Sequence, residues 1–274
     1  MLKVIDKYQN ICKLFLRGCY IVSCTLFLTS PTFAAPNWEH FADDIEITRI
    51  AIWPQSVISP ELFFVRTGLK SHRLGVIRAS DFGLRNDNVK NLSIRAKSVF
   101  AINANFFDEH GRALGLTLSR GIKHKNIHFG GGTLTGILQV TQNGVSIINR
   151  SDFNQHLVLE ALQAGPRLIV NGAAVQKIKD LTTYSRRSGV CIDREQRVVF
   201  YISSGLMGIS LQQVQDTLLS KEIGCVDALN LDGGGSAQLY LSKHPSSDSV
   251  GKIEEVSIQG RDNIPVALGL FKKQ

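Results

Sequence analysis

Asp232 stands at the head of three successive glycines and a hydroxyl, Asp232-Gly233-Gly234-Gly235-Ser236, between the apolar runs Ala228–Leu231 and Ala237–Tyr240. A triple glycine weakens any strand it interrupts, so it marks a bend or a close approach. Successive glycine N–H groups form an anion-binding concavity, and a carboxylate at its lip can take a proton or act as a nucleophile. That set suits a sugar or a phosphate. The simpler alternative is a tight hairpin in which Asp232 caps its own turn.

Three more polar islands interrupt the apolar framework. Ala101-Ile102-Asn103-Ala104-Asn105-Phe106-Phe107-Asp108 ends a strand with two amides, two rings and a carboxylate. Gln163-Ala164-Gly165-Pro166-Arg167-Leu168 bends the chain and sets a guanidinium at a strand start. Arginine's planar fork fits phosphate or carboxylate; a surface ion pair is the alternative. Tyr184-Ser185-Arg186-Arg187-Ser188-Gly189 puts two arginines before a small hydroxyl residue, in an anion site or a solvated loop.

Other chemistries find no footing. The chain has no Gly-x-x-x-x-Gly-Lys-Ser/Thr phosphate loop, no His-Glu-x-x-His, no Gly-x-Ser-x-Gly elbow and no close Cys/His cluster. His124 and His128 lie beside Lys123 and Lys125 and read as a solvated loop. No cofactor is required, and neither is a metal, although Asp232 or Asp108 offers oxygen to a divalent ion.

In order, Ile102-Asn103 with Phe106-Phe107, Gly165-Pro166-Arg167-Leu168-Ile169 with Asn171-Gly172, the arginines before Gly189, and Leu231-Asp232-Gly233-Gly234-Gly235-Ser236 together resemble the phosphodiester glycosidase family. The resemblance spans roughly Ser98 to Phe271. It implies hydrolysis of the bond between a sugar and a phosphodiester, on a glycosyl-phosphate or envelope-glycan substrate. The motifs place Asn103, Phe106, Phe107, Arg167, Arg187 and Asp232 on the family's signatures, and the chemistry of such a cleavage reads Asp232 as base or nucleophile, Asn103 and Asn105 as partners of sugar hydroxyls, and Arg167 and Arg187 as partners of the phosphate. Phe107 and the loop Gly233, Gly234, Gly235 and Ser236 complete the substrate-binding set. Ala104 and Asn105 depart from the pattern, standing where the family commonly has two glycines. A phosphate monoester is already a good leaving group, so one carboxylate with arginines is a sufficient minimal kit. Asp108 is a second carboxylate in reserve or a turn residue; Asp193 and Asp227 read as structural. The rival reading is a non-catalytic envelope protein that binds sugars or wall polymers in the same cleft.

These residues must be positioned by a mostly β framework. Strand-like runs cover 45–53, 62–67, 98–103, 113–118, 134–140, 145–148, 157–161, 167–170 and 198–202. Asn143-Gly144 and Asn171-Gly172 read as hairpin turns. Ser210 with Gln213 predicts a capped helix whose apolar face is Leu211, Val214, Leu218 and Leu219, with Gly224 after its end. A weaker helix covers 87–96. Strands without a βαβ rhythm give an α+β class: one strand-rich domain, 35–274, with a mixed or antiparallel sheet and a few helices. The last strand, 265–271, is expected to return to the main sheet.

The N-terminus carries Lys3, Lys7, Lys13 and Arg17, then an uncharged run over 18–29 and Ser30-Pro31-Thr32-Phe33-Ala34-Ala35. This is the order of a secretory signal peptide, 1–34, cleaved after Ala34. Ile21-Val22-Ser23-Cys24 resembles a lipoprotein box but lies inside the apolar run, so simple secretion ranks above lipidation and above an uncleaved anchor. The expected location is periplasmic or secreted, with no transmembrane segment in the mature chain. The chain has 31 basic and 23 acidic residues. Residues 1–34 hold four of the basic and one of the acidic, which leaves the mature chain at +5. That excess is spread out, with no basic stripe interleaved with aromatics, so nucleic acid is not an expected partner. Cys191 and Cys225 remain after cleavage, and each lies in an apolar segment. Two buried thiols and one disulfide are equally good readings.

Overall fold

The computed structural model describes residues 37–56, 58–205, 207–242 and 255–273. The expected signal peptide lies outside them. Pro36–Gln274 gathers into one unit by its contacts. An eight-stranded sheet runs, edge to edge, through Glu39–Ala42, Ile45–Ala51, Glu61–Thr67, Val198–Ser204, Ser188–Asp193, Cys225–Asn230, Arg167–Val170 and Ala173–Ala174. One five-stranded sheet runs through Ile122–Lys125, Thr117–Ser119, Val158–Ala164, Gly136–Thr141 and Gly144–Asn149. A second runs through Val256–Ile258, Leu239–Leu241, Phe100–Asn103, Val266–Lys272 and His72–Arg78. Neighbouring strands pair antiparallel throughout.

The inward faces of all three sheets meet in one cluster. It joins Phe63, Phe200 and Leu229 from the first, with Leu231 just beyond it, Leu138 and Leu162 from the second, and Phe100, Ile102, Leu239 and Leu268 from the third. Each such side chain contributes about 1.5–3 kcal/mol when taken from water. The rings of Phe100 and Phe200 lie 4.7 Å apart between centroids, where the sheets touch.

Two α-helices cover outer faces. Helix α1 (Val89–Ala96) is capped by Asn88, which accepts from the Asn91 N–H, so it starts two residues later than the pattern suggests. Its Val89 and Leu92 pack with Ile77, Ala101 and Tyr240. Helix α2 (Leu211–Leu219) opens with the reciprocal Ser210–Gln213 capping box, and its Leu211, Val214 and Leu218 pack against Phe64, Val199 and Ala228.

The molecule is thus strand-rich and antiparallel, with two helices among the described residues. Three expectations shift. The last strand, Val266–Lys272, sits between Phe100–Asn103 and His72–Arg78 in a five-stranded sheet, not in the largest one. Of the run 113–118, only Thr117–Ser119 is a strand, because Leu114 and Leu116 spend backbone groups on Phe106, Asn105 and Gln163. Lys123 and His124 lie on an exposed edge strand, Ile122–Lys125, and not in a loop. Cys191 and Cys225 form a disulfide, with Cα atoms 5.9 Å apart.

Candidate active site

The Asp232 loop is the chain's crossing between two sheets. Cys225–Asn230 ends beside Ser188–Asp193, and the Leu231 N–H still donates to the Ser188 carbonyl at 2.9 Å. Eight residues after Leu231, Leu239 pairs with Ile102 in the other sheet. The glycines make that crossing compact. Gly234 has φ +58°, a left-handed backbone that side-chain-bearing residues rarely adopt, and a Cβ on Gly235 would collide with the Asp262 carboxylate. Gly233, Gly234 and Ser236 are held by bonds from the Gly234 N–H to the Arg186 carbonyl at 2.9 Å and from the Ser236 N–H to the Gly233 carbonyl at 3.1 Å.

All four islands converge here, mainly through the main chain. The Asp232 N–H donates to the Ala104 carbonyl at 3.1 Å. Its carbonyl accepts from Asn103 Nδ2 at 2.6 Å and from Ser188 Oγ at 2.8 Å. The Asn230 N–H donates to the Pro166 carbonyl at 3.0 Å, and Asn230 Nδ2 donates to the Gly165 carbonyl at 3.1 Å. What these bonds leave for a ligand is the Asp232 carboxyl, which is only partly buried.

That carboxyl is electrostatically unusual. Burial pushes its pKa up, against hydrogen bonds from Ser236 and the Gly233 N–H that pull it down, and the Asp262 charge pushes it further, to about 6. Its Oδ1 accepts the Gly233 N–H at 3.0 Å. A carboxyl poised near 6 exchanges its proton readily near neutral pH, as an acid–base group must.

The other sequence-derived candidates are placed differently. Asn103 is fully buried; besides its bond to Asp232, its Oδ1 accepts the Gln238 N–H at 3.1 Å. Asn105 is 2% exposed and its Nδ2 donates to the Leu116 and Gln163 carbonyls at 3.0 and 3.1 Å. The expectation that these amides meet sugar hydroxyls is therefore corrected: they are inside, and Asn103 positions the loop. Phe107 packs into the cluster beside α1. Arg167 pairs with Asp227 at 3.2 Å. Arg187 donates to the Thr183 and Ile209 carbonyls at 2.6 and 3.2 Å. Asp108 is a turn residue, accepting the His110 and Arg112 N–H groups and Arg112 Nε, and these bonds hold its pKa below the usual range. Asp193 is likewise a turn residue, accepting the Glu195 and Arg197 N–H groups and Arg197 Nε in the hairpin before Arg197.

Sequence reading missed Arg261 and Asp262. Both N–H groups donate to the Gly235 carbonyl, at 2.8 and 3.1 Å, so the loop and the segment before the last strand form one unit. The available signal was Arg261-Asp262-Asn263 itself, a polar island ahead of an apolar strand like the others. Among the described residues, no group of three or more His, Cys, Asp or Glu could hold a metal ion.

A family model for phosphodiester glycosidase matches residues 96–271, which contain the whole Asp232 loop and its partners. The chain belongs to the phosphodiester glycosidase family. No curated protein sequence matches it. Among solved structures it is similar to the zebrafish N-acetylglucosamine-1-phosphodiester alpha-N-acetylglucosaminidase catalytic domain, auto-inhibited by its pro-peptide. That match has a TM-score of 0.63 and 18% identity, and covers 89% of this chain and 86% of the other. It is also similar to a hypothetical protein from Synechocystis (TM-score 0.58, 14% identity, 88% and 64% covered). A putative exported protein from Burkholderia pseudomallei matches as well (TM-score 0.55, 10% identity, 78% and 74% covered). At such identities these likenesses speak for the fold of this phosphodiester glycosidase family member.

Proposed function

We propose that this family member is a hydrolase that cleaves a sugar-1-phosphodiester outside the cytoplasm, in an envelope or extracellular glycan. The observation that supports it most is Asp232, the one side-chain acid that the converging islands leave open and hold near pKa 6. The bond between the anomeric carbon and the phosphate oxygen breaks, and the phosphate departs with the electron pair. Asp232 either takes the proton of an attacking water or forms the glycosyl bond itself, to be released by water. The products are the free sugar and a phosphate monoester.

The departure at Ala104-Asn105 is absorbed away from the loop opening. Ala104 is fully buried and offers its carbonyl to Asp232, and Asn105 points into the strand 158–164 region. Both larger side chains thus leave the carboxyl free, which favours catalysis over simple glycan binding. The location rests on the basic–apolar–small order of residues 1–35 and is consistent with the Cys191–Cys225 disulfide, a bond of oxidising compartments. N-terminal sequencing of the exported protein should begin at or near Ala35; an intact Met1 on a cytoplasmic product contradicts the location. Turnover of a fluorogenic sugar-1-phosphodiester by wild-type protein, lost in Asp232→Asn, is the test of the activity.

A further inference from the structure

We infer that Arg186 and Arg261 together form the anion-binding element of this site and hold the phosphate of the substrate. The inference rests on the hydrolase reading above and replaces Arg167 and Arg187 in that role. Arg167 faces Asp227, and Arg187 is turned onto loop carbonyls, so both have other work. Arg186 is only partly exposed yet has no carboxylate within ion-pair distance among the described residues, and of its five N–H donors one is spent, on the Ala237 carbonyl at 2.8 Å. Arg261 is exposed, and its N–H donates to the Gly235 carbonyl of the same three glycines. The two residues are fastened to that loop by their backbones, Arg186 through its carbonyl to Gly234 and Arg261 through its N–H to Gly235. Burial and then the Arg261 charge lower the Arg186 pKa. Both arginines are fastened to one short loop that also carries Asp232 and Asp262, and an anion bound there takes up the donors that Arg186 leaves idle. A phosphate held there would sit on the loop that Asp232 heads, the position this reading needs for the departing group.

Inorganic phosphate titrated by calorimetry into the full mature protein reads this directly. Wild type should bind in the millimolar range, and Arg261→Gln and Arg186→Gln should each weaken binding at least tenfold. Arg112→Gln, which removes the same charge at the Asp108 turn, should not change it. Arg261 is exposed, so its variant remains informative if Arg186→Gln fails to fold. Turnover separates the two claims. If wild type cleaves a sugar-1-phosphodiester and both variants keep kcat/KM within twofold, the arginine pair is wrong while the hydrolase reading stands. If phosphate binding depends on both arginines but no phosphodiester is cleaved, the pair stands and the hydrolase reading falls. Wild type that binds no phosphate, or binding that both variants retain, overturns the pair.

Discussion

Asp232 carries a cost that its surroundings make measurable. Its carboxyl titrates at about 6 in the fold, against 3.8 for the ordinary group, so ionising it disfavours the folded state. The folded protein holds this proton more tightly than the unfolded chain. The contribution of this group to stability is therefore greatest below pH 4, falls as pH rises through 4 to 6, and stays low above. The span is about 3 kcal/mol at most, since one pKa unit corresponds to ~1.4 kcal/mol. Asp232→Asn should remove that slope and leave the protein more stable than wild type at pH 8, as measured by urea unfolding across pH. An unchanged slope would mean the carboxyl is not held as described. The chemistry of Asp232 was legible because a lone carboxylate before three glycines has few structural excuses. The role of Asn103 was not, because its partner is 129 residues away. An amide read in isolation looks like a ligand-binding group, and only the fold shows that both its ends are spent on the main chain.

Elements with complete local signals were equally legible. The Ser210–Gln213 box satisfies helix-end donors within four residues, and helix α2 begins where it says. Ser210→Ala should lower stability by about 1 kcal/mol while leaving turnover intact, because α2 packs behind the eight-stranded sheet and not on the Asp232 loop. A loss of turnover without a loss of stability would place α2 nearer the site than the structure does. The strand His72–Arg78 carried no such signal. Gly75 interrupts its alternation, and the reason is tertiary: Gly75 pairs with Gly269 across the ladder, and a Cβ there would press on the Phe271 ring at 3.0 Å. The edge strand Ile122–Lys125 was hidden for the opposite reason, since all four residues are exposed and none reports a core. Strand placement between sheets is set by pairing across long sequence separations, so the destination of the last strand could not be read locally.

At the scale of the whole molecule, the glycine loop is where two sheets are sewn together, and the disulfide lies in the same part of the larger sheet. Cys191 and Cys225 join neighbouring strands 34 residues apart in sequence, and Cys225–Asn230 leads straight to Leu231 and Asp232. Replacing both cysteines by alanine should lower stability by about 3–4 kcal/mol, judged from the loop that the bond closes. Denaturant unfolding with and without reductant measures it, and equal stability in both conditions would mean the bond adds nothing. The sequence left thiols and disulfide equally open because apolar surroundings suit both. The decision lies in the strand pairing, which brings the two Cα atoms to 5.9 Å.

The central claim is that the Asp232 carboxyl does the chemistry and that the rest of the loop exists to hold it. The direct measurement is the pH dependence of kcat/KM for a sugar-1-phosphodiester, on wild type and Asp232→Asn side by side, with unfolding followed on the same samples. The account predicts a wild-type profile with an inflection near pH 6. It also predicts a loss of about a hundredfold or more in the folded Asp232→Asn protein, the scale of removing an acid–base group. Asp232→Asn that folds like wild type and turns over at the wild-type rate would contradict the account and leave the glycine loop a structural crossing.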